Sequence, residues 1–255
     1  MLSTTLAIAR KDLQILRRDP RGLVSLFVMP AMFLVVMTLA LSKTWGTPRA
    51  GIPNIVQQNV PGWTLFGVFF VAQQLALSLL EEKRSGTFRR LLASPAPRAA
   101  ILLGKLVPYL LLNLAQVTLM FAAGVFLLPR LGAPALSLGT HPFALLAVSV
   151  AASLAATGLG LLLASLANTQ EQLGGFGTLV VLTMAALGGV MVPRFAMPAS
   201  MQRLGLFTPH AWALTAYQDV LVLGHGLVQI LPAVGALLAF AVVFFGVALV
   251  KFRWE

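Results

Sequence analysis

Residues 63–105 read WTLFGVFFVAQQLALSLLEEKRSGTFRRLLASPAPRAAILLGK, and their two halves decide the fold. The first, 63–80, carries no charge and approaches the length of about 20 apolar residues that a helix needs to cross a bilayer. The second, 81–105, is the longest polar interruption in the chain. It holds Lys83, Arg84, Arg89, Arg90, Arg98 and Lys105 against only Glu81 and Glu82. A cationic loop beside a hydrophobic span is what a membrane protein keeps on its cytoplasmic side. The interior of the loop also predicts a short helix. Ser85-Gly86-Thr87 starts it, Ser94-Pro95 stops it, and Phe88, Leu91 and Leu92 fall on one face at helical spacing. A small apolar knob ringed by Arg89 and Arg90 suits docking into a cleft of a cytosolic partner.

Outward from this stretch the pattern repeats. Apolar residues make up 58% of the 255 positions and charged residues 10%, far below the roughly 25% charged of a soluble domain. Six apolar segments qualify as spans: 23–42, 63–80, 106–128, 143–167, 173–192 and 227–250. The expected fold is therefore all-α, a single polytopic domain with six transmembrane helices. The formal charge of +11 is gathered at the ends of the apolar runs. That distribution suits membrane topology and anionic lipid headgroups, and argues against nucleic acid. With no cysteine in the chain, disulfides, thiolate zinc sites and cysteine catalysis are excluded. Three histidines and seven carboxylates leave little for a metal site.

Orientation follows from Lys and Arg. Thirteen lie in the N-terminal segment, the 81–105 loop and the C-terminal tail. Five (Lys43, Arg49, Arg130, Arg194 and Arg203) lie on the opposite side. Both termini are expected in the cytoplasm, with Glu171 in a short cytoplasmic turn. The small residues Ala40-Leu41-Ser42 mimic a signal-peptide cleavage site, but the long preceding polar region and the long apolar run argue against cleavage. Residues 1–20 form an amphipathic interface helix. Leu2, Leu6, Ile8, Ala9, Leu13, Ile15 and Leu16 fill one half of the wheel, and Arg10, Lys11, Gln14, Arg17 and Arg18 the other. Asp12 falls inside the apolar half without a reason the sequence supplies. Asp19-Pro20 ends the helix.

Between the last two spans, the region 188–226 is too apolar for a solvated loop, while Pro193, Pro198 and Pro209 forbid a continuous helix. Short external helices dipping into the outer leaflet fit it. Within the spans, Gln73, Gln74, Asn113 and Gln116 could line a path or bond a neighbouring helix, and pairwise bonding is the more economical reading. Ala152, Ala156, Gly160 and Ala164 form a small-residue stripe suited to close helix packing.

Two ordered motifs carry a family resemblance. The spacing E-x-x-x-G-T-x-x-x-L-x-x-S-P is met by Glu82, Gly86, Thr87, Leu91, Ser94 and Pro95. The series G-G-x-x-x-P-x-x-x-M-P, then P-x-x-W-x-x-x-A, is met by Gly188, Gly189, Pro193, Met197, Pro198, Pro209, Trp212 and Ala216. Together with ARKDLQILRRDP, these make the chain resemble the type-2 ABC export permeases over nearly its whole length. The resemblance implies that 81–105 is a coupling loop contacting an ABC ATPase, that Arg10, Lys11, Arg17 and Arg18 sit on an inner-surface helix, and that 188–226 is an outer gate. It implies a second permease copy or a paralogue, and ATP with magnesium bound by the partner subunit rather than by this chain. Some larger relatives carry an external domain between the first two spans. Here that link is only 43–62, so substrate handling by such a domain is not expected.

The competing class is a polytopic membrane enzyme acting on lipids or peptides. Glu81-Glu82 invites comparison with E-E-x-x-x-R intramembrane proteases, but Gly86 stands where Arg is needed. There is no G-x-S-x-G, H-E-x-x-H or intramembrane Asp pair. His141, His210 and His225 map to the external side, where lone histidines are expected as interfacial polar groups. A proton-coupled carrier would leave carboxylates within the spans, and none is evident. The phosphate-cradling G-x-x-x-x-G-K-[ST] is missing as well, because Gly104-Lys105 is followed by Leu106. Any ATP hydrolysis is therefore expected on a separate subunit, with a hydrophobic or amphipathic cargo leaving across the cytoplasmic (inner) membrane.

Overall fold

A computed structural model describes residues 2–43, 53–87 and 97–251. All their regular structure is helical. Helix α1 (Leu2–Arg18) ends where Asp19 turns the chain. The Asp19 carboxylate accepts from Gly22 N, Pro20 takes the first helical position, and α2 (Pro20–Leu41) begins. A proline at that position costs no hydrogen bond, because the first-turn N–H groups have no helical acceptor. Helix α3 (Ile55–Arg84) opens on a capping box in which Asn54 and Gln57 satisfy each other's backbone N–H. Helix α4 begins as Arg98–Ala122, passes through a π turn at Ala123–Leu127 and ends with Leu128–Arg130. The π turn has a partner, since Gly124 O accepts from Leu136 N at 3.1 Å.

Helix α5 (Pro142–Leu166) follows. Then α6 starts at Gln170–Gln172, widens into a second π turn at Leu173–Gly177 and closes with Thr178–Leu187. A 3-10 turn (Arg194–Ala196) leads into α7 (Ala199–Gly205), α8 (Pro209–Leu221) and α9 (Leu227–Lys251). The three prolines named from the sequence punctuate this region as expected. Pro193 and Pro198 sit at the N-caps of the 3-10 turn and α7, and Pro209 opens α8 after its Thr208 cap.

Helix α3 is the axis of the bundle, packed against α2, α4, α5, α6 and α8, while α9 lies on α5 and α8. Its Leu65, Phe69, Leu75 and Leu79 are fully buried. The small-residue stripe is where α5 meets α3. Ala152, Ala156 and Ala164 are buried, and a Cβ on Gly160 would stand 2.5 Å from Ala72 O. Outer faces are apolar instead of polar. Val24, Val28, Met32 and Val36 are exposed at four-residue spacing on α2, and Val242, Val243 and Val250 are exposed on α9. A surface of that kind is stable only where the solvent is lipid. The chain is an all-α polytopic membrane protein.

The count of six spans is not confirmed, and one other expectation changes. Among the described residues five helices are long and apolar enough to cross a membrane: Gly22–Leu41, Ile55–Arg84, Leu103–Arg130, Pro142–Leu166 and Leu227–Lys251. The sixth segment expected, 173–192, is a shorter helix that the π turn interrupts and Gly188 caps. Residues 81–105 are also not one polar loop. Glu81–Arg84 completes α3 and Arg98–Lys105 opens α4, leaving a shorter link. Within that link Phe88, Arg89, Arg90, Leu91, Leu92, Ser94 and Pro95 lie outside the described residues.

Candidate functional site at the two ends of the bundle

At the end of the bundle that carries the 85–97 link, the structure builds a buried ion cluster from three elements. Lys105, near the start of α4, is fully buried. Its Nζ lies 2.6 Å from Glu82 Oε1 and 2.8 Å from Asp12 Oδ2. Lys11 of α1 donates to the same Glu82 oxygen and stands 3.5 Å from Asp12. Two ammoniums and two carboxylates thus cancel. A buried charge without such partners would cost several kcal/mol. Burial alone would push the Lys11 ammonium down, but the bond to Glu82 and the two carboxylates outweigh it and hold Lys11 above its ordinary range.

This cluster corrects two sequence expectations. Asp12 is no blemish in the apolar half of α1. It faces α4 in line with buried Ile8 and Ala9, and is itself buried. Lys105 is not a solvated loop cation. An acid inside an apolar helix face and a lysine one residue ahead of an apolar run were both visible in the sequence, but their pairing required the fold. Thr5 Oγ1 adds a bond to Ala100 O, 3.3 Å away. Arg10, Arg17 and Arg18 are exposed, while Lys11 is half-buried in the cluster. Gly86 takes a positive φ of 71° beyond the α3 C-cap, and Thr87 bonds the Ser85 hydroxyl. The Gln170 amide donates to Glu81 Oε2 at 2.6 Å, tying the start of α6 to the same end.

The opposite end is held by amides. Gln58 Nε2 donates to Gly189 O at 2.9 Å, and Gln58 Oε1 accepts from Gln218 at 2.6 Å, so α3, α8 and the Gly188–Gly189 turn form one chain of bonds. Gly189 has a positive φ of 94°, and a Cβ there would meet Arg194 Cγ at 2.5 Å. Arg194 donates to Thr215 and to Gln202 O. Trp212 Nε1 donates to Leu206 O at 2.8 Å. Pro209 and Met197 are buried and Pro198 is exposed. His210 departs from the interfacial position expected of it. It is fully buried, with its ring centroid 3.9 Å from that of Phe69.

The polar residues of the spans do not converge on one line. Gln73 bonds Thr178 at 2.9 Å and reaches Gly174 O of the second π turn. Gln116 donates to Leu26 O, the carbonyl that Pro30 leaves without its helical N–H. Asn113 is fully buried, and its amide atoms have no hydrogen-bond partner among the described residues. Gln74 alone is half-buried, and it lines cavities between α2 and α3. Among the described residues no group of three or more potential metal ligands occurs.

Comparison with known proteins agrees with this architecture. The family model of the ABC-2 type transporter matches residues 3–222. The linearmycin resistance permease protein LnrN of Bacillus subtilis is 28% identical over 192 residues, 75% of this chain and 48% of the relative. The inner membrane transport permease YhhJ of Escherichia coli is 30% identical over 69% of this chain and 46% of its own length. A third, named "Probable multidrug ABC transporter permease YbhR", also from Escherichia coli, is 34% identical over 66% and 43%. The chain spans about half the length of the curated relatives it matches. With the family match running from the amphipathic helix through α8, the chain belongs to the ABC-2 type transporter family.

Proposed function

We propose that this chain is the membrane-spanning permease subunit of an ATP-driven exporter. It would move a hydrophobic or amphipathic compound outward across the cytoplasmic membrane, with both termini in the cytoplasm. Two copies, or one copy and a paralogue, would enclose the path. ATP and magnesium would be bound by separate ABC ATPase subunits docking on the 81–105 region. The observation that carries this reading is the buried cluster of Lys11, Asp12, Glu82 and Lys105. It joins α1, the end of α3 and the start of α4 into one block beside the link that holds the G-T…L…S-P motif. A force on that link would move the ends of α3 and α4 together, because separating them would strand Glu82 or Lys105 as a buried charge, and α1 is bonded to both through Lys11 and Asp12. Family membership and the multidrug and antibiotic-resistance names of relatives support the class of cargo.

The test is co-expression with candidate ABC ATPase subunits from the same organism, followed by reconstitution. ATP-dependent movement of a lipophilic compound, abolished when the ATPase is inactivated, is the expected result. Failure of any ABC ATPase to co-purify with the chain would overturn the reading.

A further inference from the structure

We infer that the crevice between α1, α2 and α3 is a binding site for a lipophilic cation, an amine, ammonium or phosphonium carried on an apolar body. The inference rests on the exporter reading, since it names the class of cargo that would enter. Two cavities adjoin here and share Leu26, Gln74 and Leu77 at their waist. The inner one, about 370 Å³, runs between α2 and α3 against Met29, Met32 and Phe70. The outer one, about 460 Å³, opens beside the ion cluster against Asp19, Glu81, Glu82 and Tyr109. Each volume falls in the range of sites for drug-sized molecules, which are mostly apolar with a few placed polar groups.

Charge selects the head of the ligand. The charged residues lining the outer cavity are Asp19, Glu81 and Glu82 against Lys11. Lys11 is already committed to Glu82. Glu82 Oε1 takes both ammoniums of the cluster, while its Oε2 is buried with no hydrogen-bond partner among the described residues. Asp19 accepts from a backbone N–H and Glu81 from the Gln170 amide, both neutral donors, so those bonds leave the carboxylate charges in place. Arg17 and Arg18 are exposed and do not line the crevice. An anionic headgroup entering here would meet Asp19 and Glu81, the two lining carboxylates not neutralised by an ammonium. A cation would meet its complement in Asp19 and Glu81, which are exposed at the mouth, with the buried Glu82 Oε2 behind them.

The body of the ligand has an equally defined place. Met29 and Met32 are unbranched and polarizable, which lets one cavity fit bodies of different outline. Phe70 offers a ring face to a cation's substituents. Val28 and Met32 are exposed on the outer face of α2, so the inner cavity opens sideways toward lipid. A membrane-dissolved amphipath could therefore enter laterally with its charged end at Asp19 and Glu81.

The experiment uses the permease in phosphatidylcholine nanodiscs, with empty discs subtracted. Equilibrium binding of tetraphenylphosphonium is compared with that of tetraphenylborate, a body of similar size and opposite charge. Saturable phosphonium binding at least tenfold tighter than borate binding is expected. Asp19→Asn with Glu81→Gln, which keeps the helix cap, should weaken the phosphonium at least tenfold, and Met29→Trp should abolish its binding by filling the inner cavity. If Met29→Trp fails to fold, Gln74→Trp blocks the shared waist instead. Equal binding of the two ions, or phosphonium binding untouched by the blocking variant, overturns the inference. No ATPase is needed for this measurement. ATP-dependent export of another cargo without phosphonium binding would sink the crevice and spare the exporter reading. Phosphonium binding by a chain that recruits no ATPase would do the reverse.

Discussion

Lys105 is fully buried with Asp12 and Glu82 as its counter-charges, and the arithmetic of buried ions makes it the most sensitive residue of the cluster. Removing one member of a buried pair typically costs about 3–5 kcal/mol, whereas replacing both members by apolar groups is often near neutral. Lys105→Met should accordingly destabilise the protein by about that amount, and Asp12→Leu with Lys105→Met should recover part of the loss. Thermal unfolding in detergent measures both. A double variant as unstable as the sum of the singles would show that the pair does not couple. Arg10→Ala, on the exposed face of α1, should change little. The same site shows what a single sequence can reveal at this scale. The face of α1 was readable from the wheel, because apolar periodicity is local. The partner of Asp12 was not, because Lys105 lies 93 positions away and nothing local announces such a pair. His210 was misplaced for the same reason, since its burial is created by Phe69 from another helix.

At the scale of elements, two contacts leave no room for a side chain. In the α3–α5 interface a Cβ on Gly160 would stand 2.5 Å from Ala72 O, a backbone atom that cannot step aside. Gly160→Ala should cost about 1–3 kcal/mol by forcing the helices apart. Gly235 in α9 has nothing within 4 Å, so Gly235→Ala should be neutral or stabilise by up to about 1 kcal/mol through helix propensity. Melting temperatures of the two variants in one detergent provide the check, and equal losses would remove the close-packing account. The turn after α6 is the second place. Gly189 combines a φ of 94° with Arg194 Cγ 2.5 Å from where a Cβ would go. Gly189→Val should impair export while ATPase co-purification persists, since the change lies at the end of the bundle opposite the ion cluster. Unchanged export would remove the gate role. Elements were the most legible level of this protein. The Asp19-Pro20 break, the three prolines after α6 and the Ala-Gly stripe all carry local chemistry that fixes their position. The π turn at Ala123–Leu127 was not legible, because that stretch is as apolar as its flanks, whereas Gly174, Gly175 and Gly177 were the available signal for the one at Leu173–Gly177.

For the molecule as a whole, the coupling role proposed for the 85–97 link and the path of α6 are each open to direct test. Phe88 and Leu91 share a predicted face, and apolar anchors in a docking cleft commonly cost about 2 kcal/mol or more when truncated. Phe88→Ala with Leu91→Ala should weaken ATPase co-purification or uncouple hydrolysis from export, while Arg89→Ala with Arg90→Ala acts mainly on association rate and its salt dependence. The reverse order would mean that the link works by charge. Topology is the final question, because α6 is shorter than the five recognised spans. Its two ends are nonetheless pinned near opposite ends of α3. Gln170 at its start bonds Glu81, and Gly189 just beyond its end accepts from Gln58. From residue 58 to 81 a helix rises about 35 Å at 1.5 Å per residue, more than the roughly 30 Å of a hydrocarbon core. From residue 170 to 189 an α rise gives at most about 28 Å, so the chain between the two bonds covers most of that depth and the Gln170 and Gln58 side chains reach across the rest. Crossing by α6 predicts that cysteines replacing exposed Glu171 and exposed Arg203 label from opposite sides of intact cells, with Arg203 outside and Arg10 on the side of Glu171. Labelling of the cysteines at 171 and 203 from the same side would leave five crossings, put the termini on opposite faces and remove the gate role proposed for 188–226.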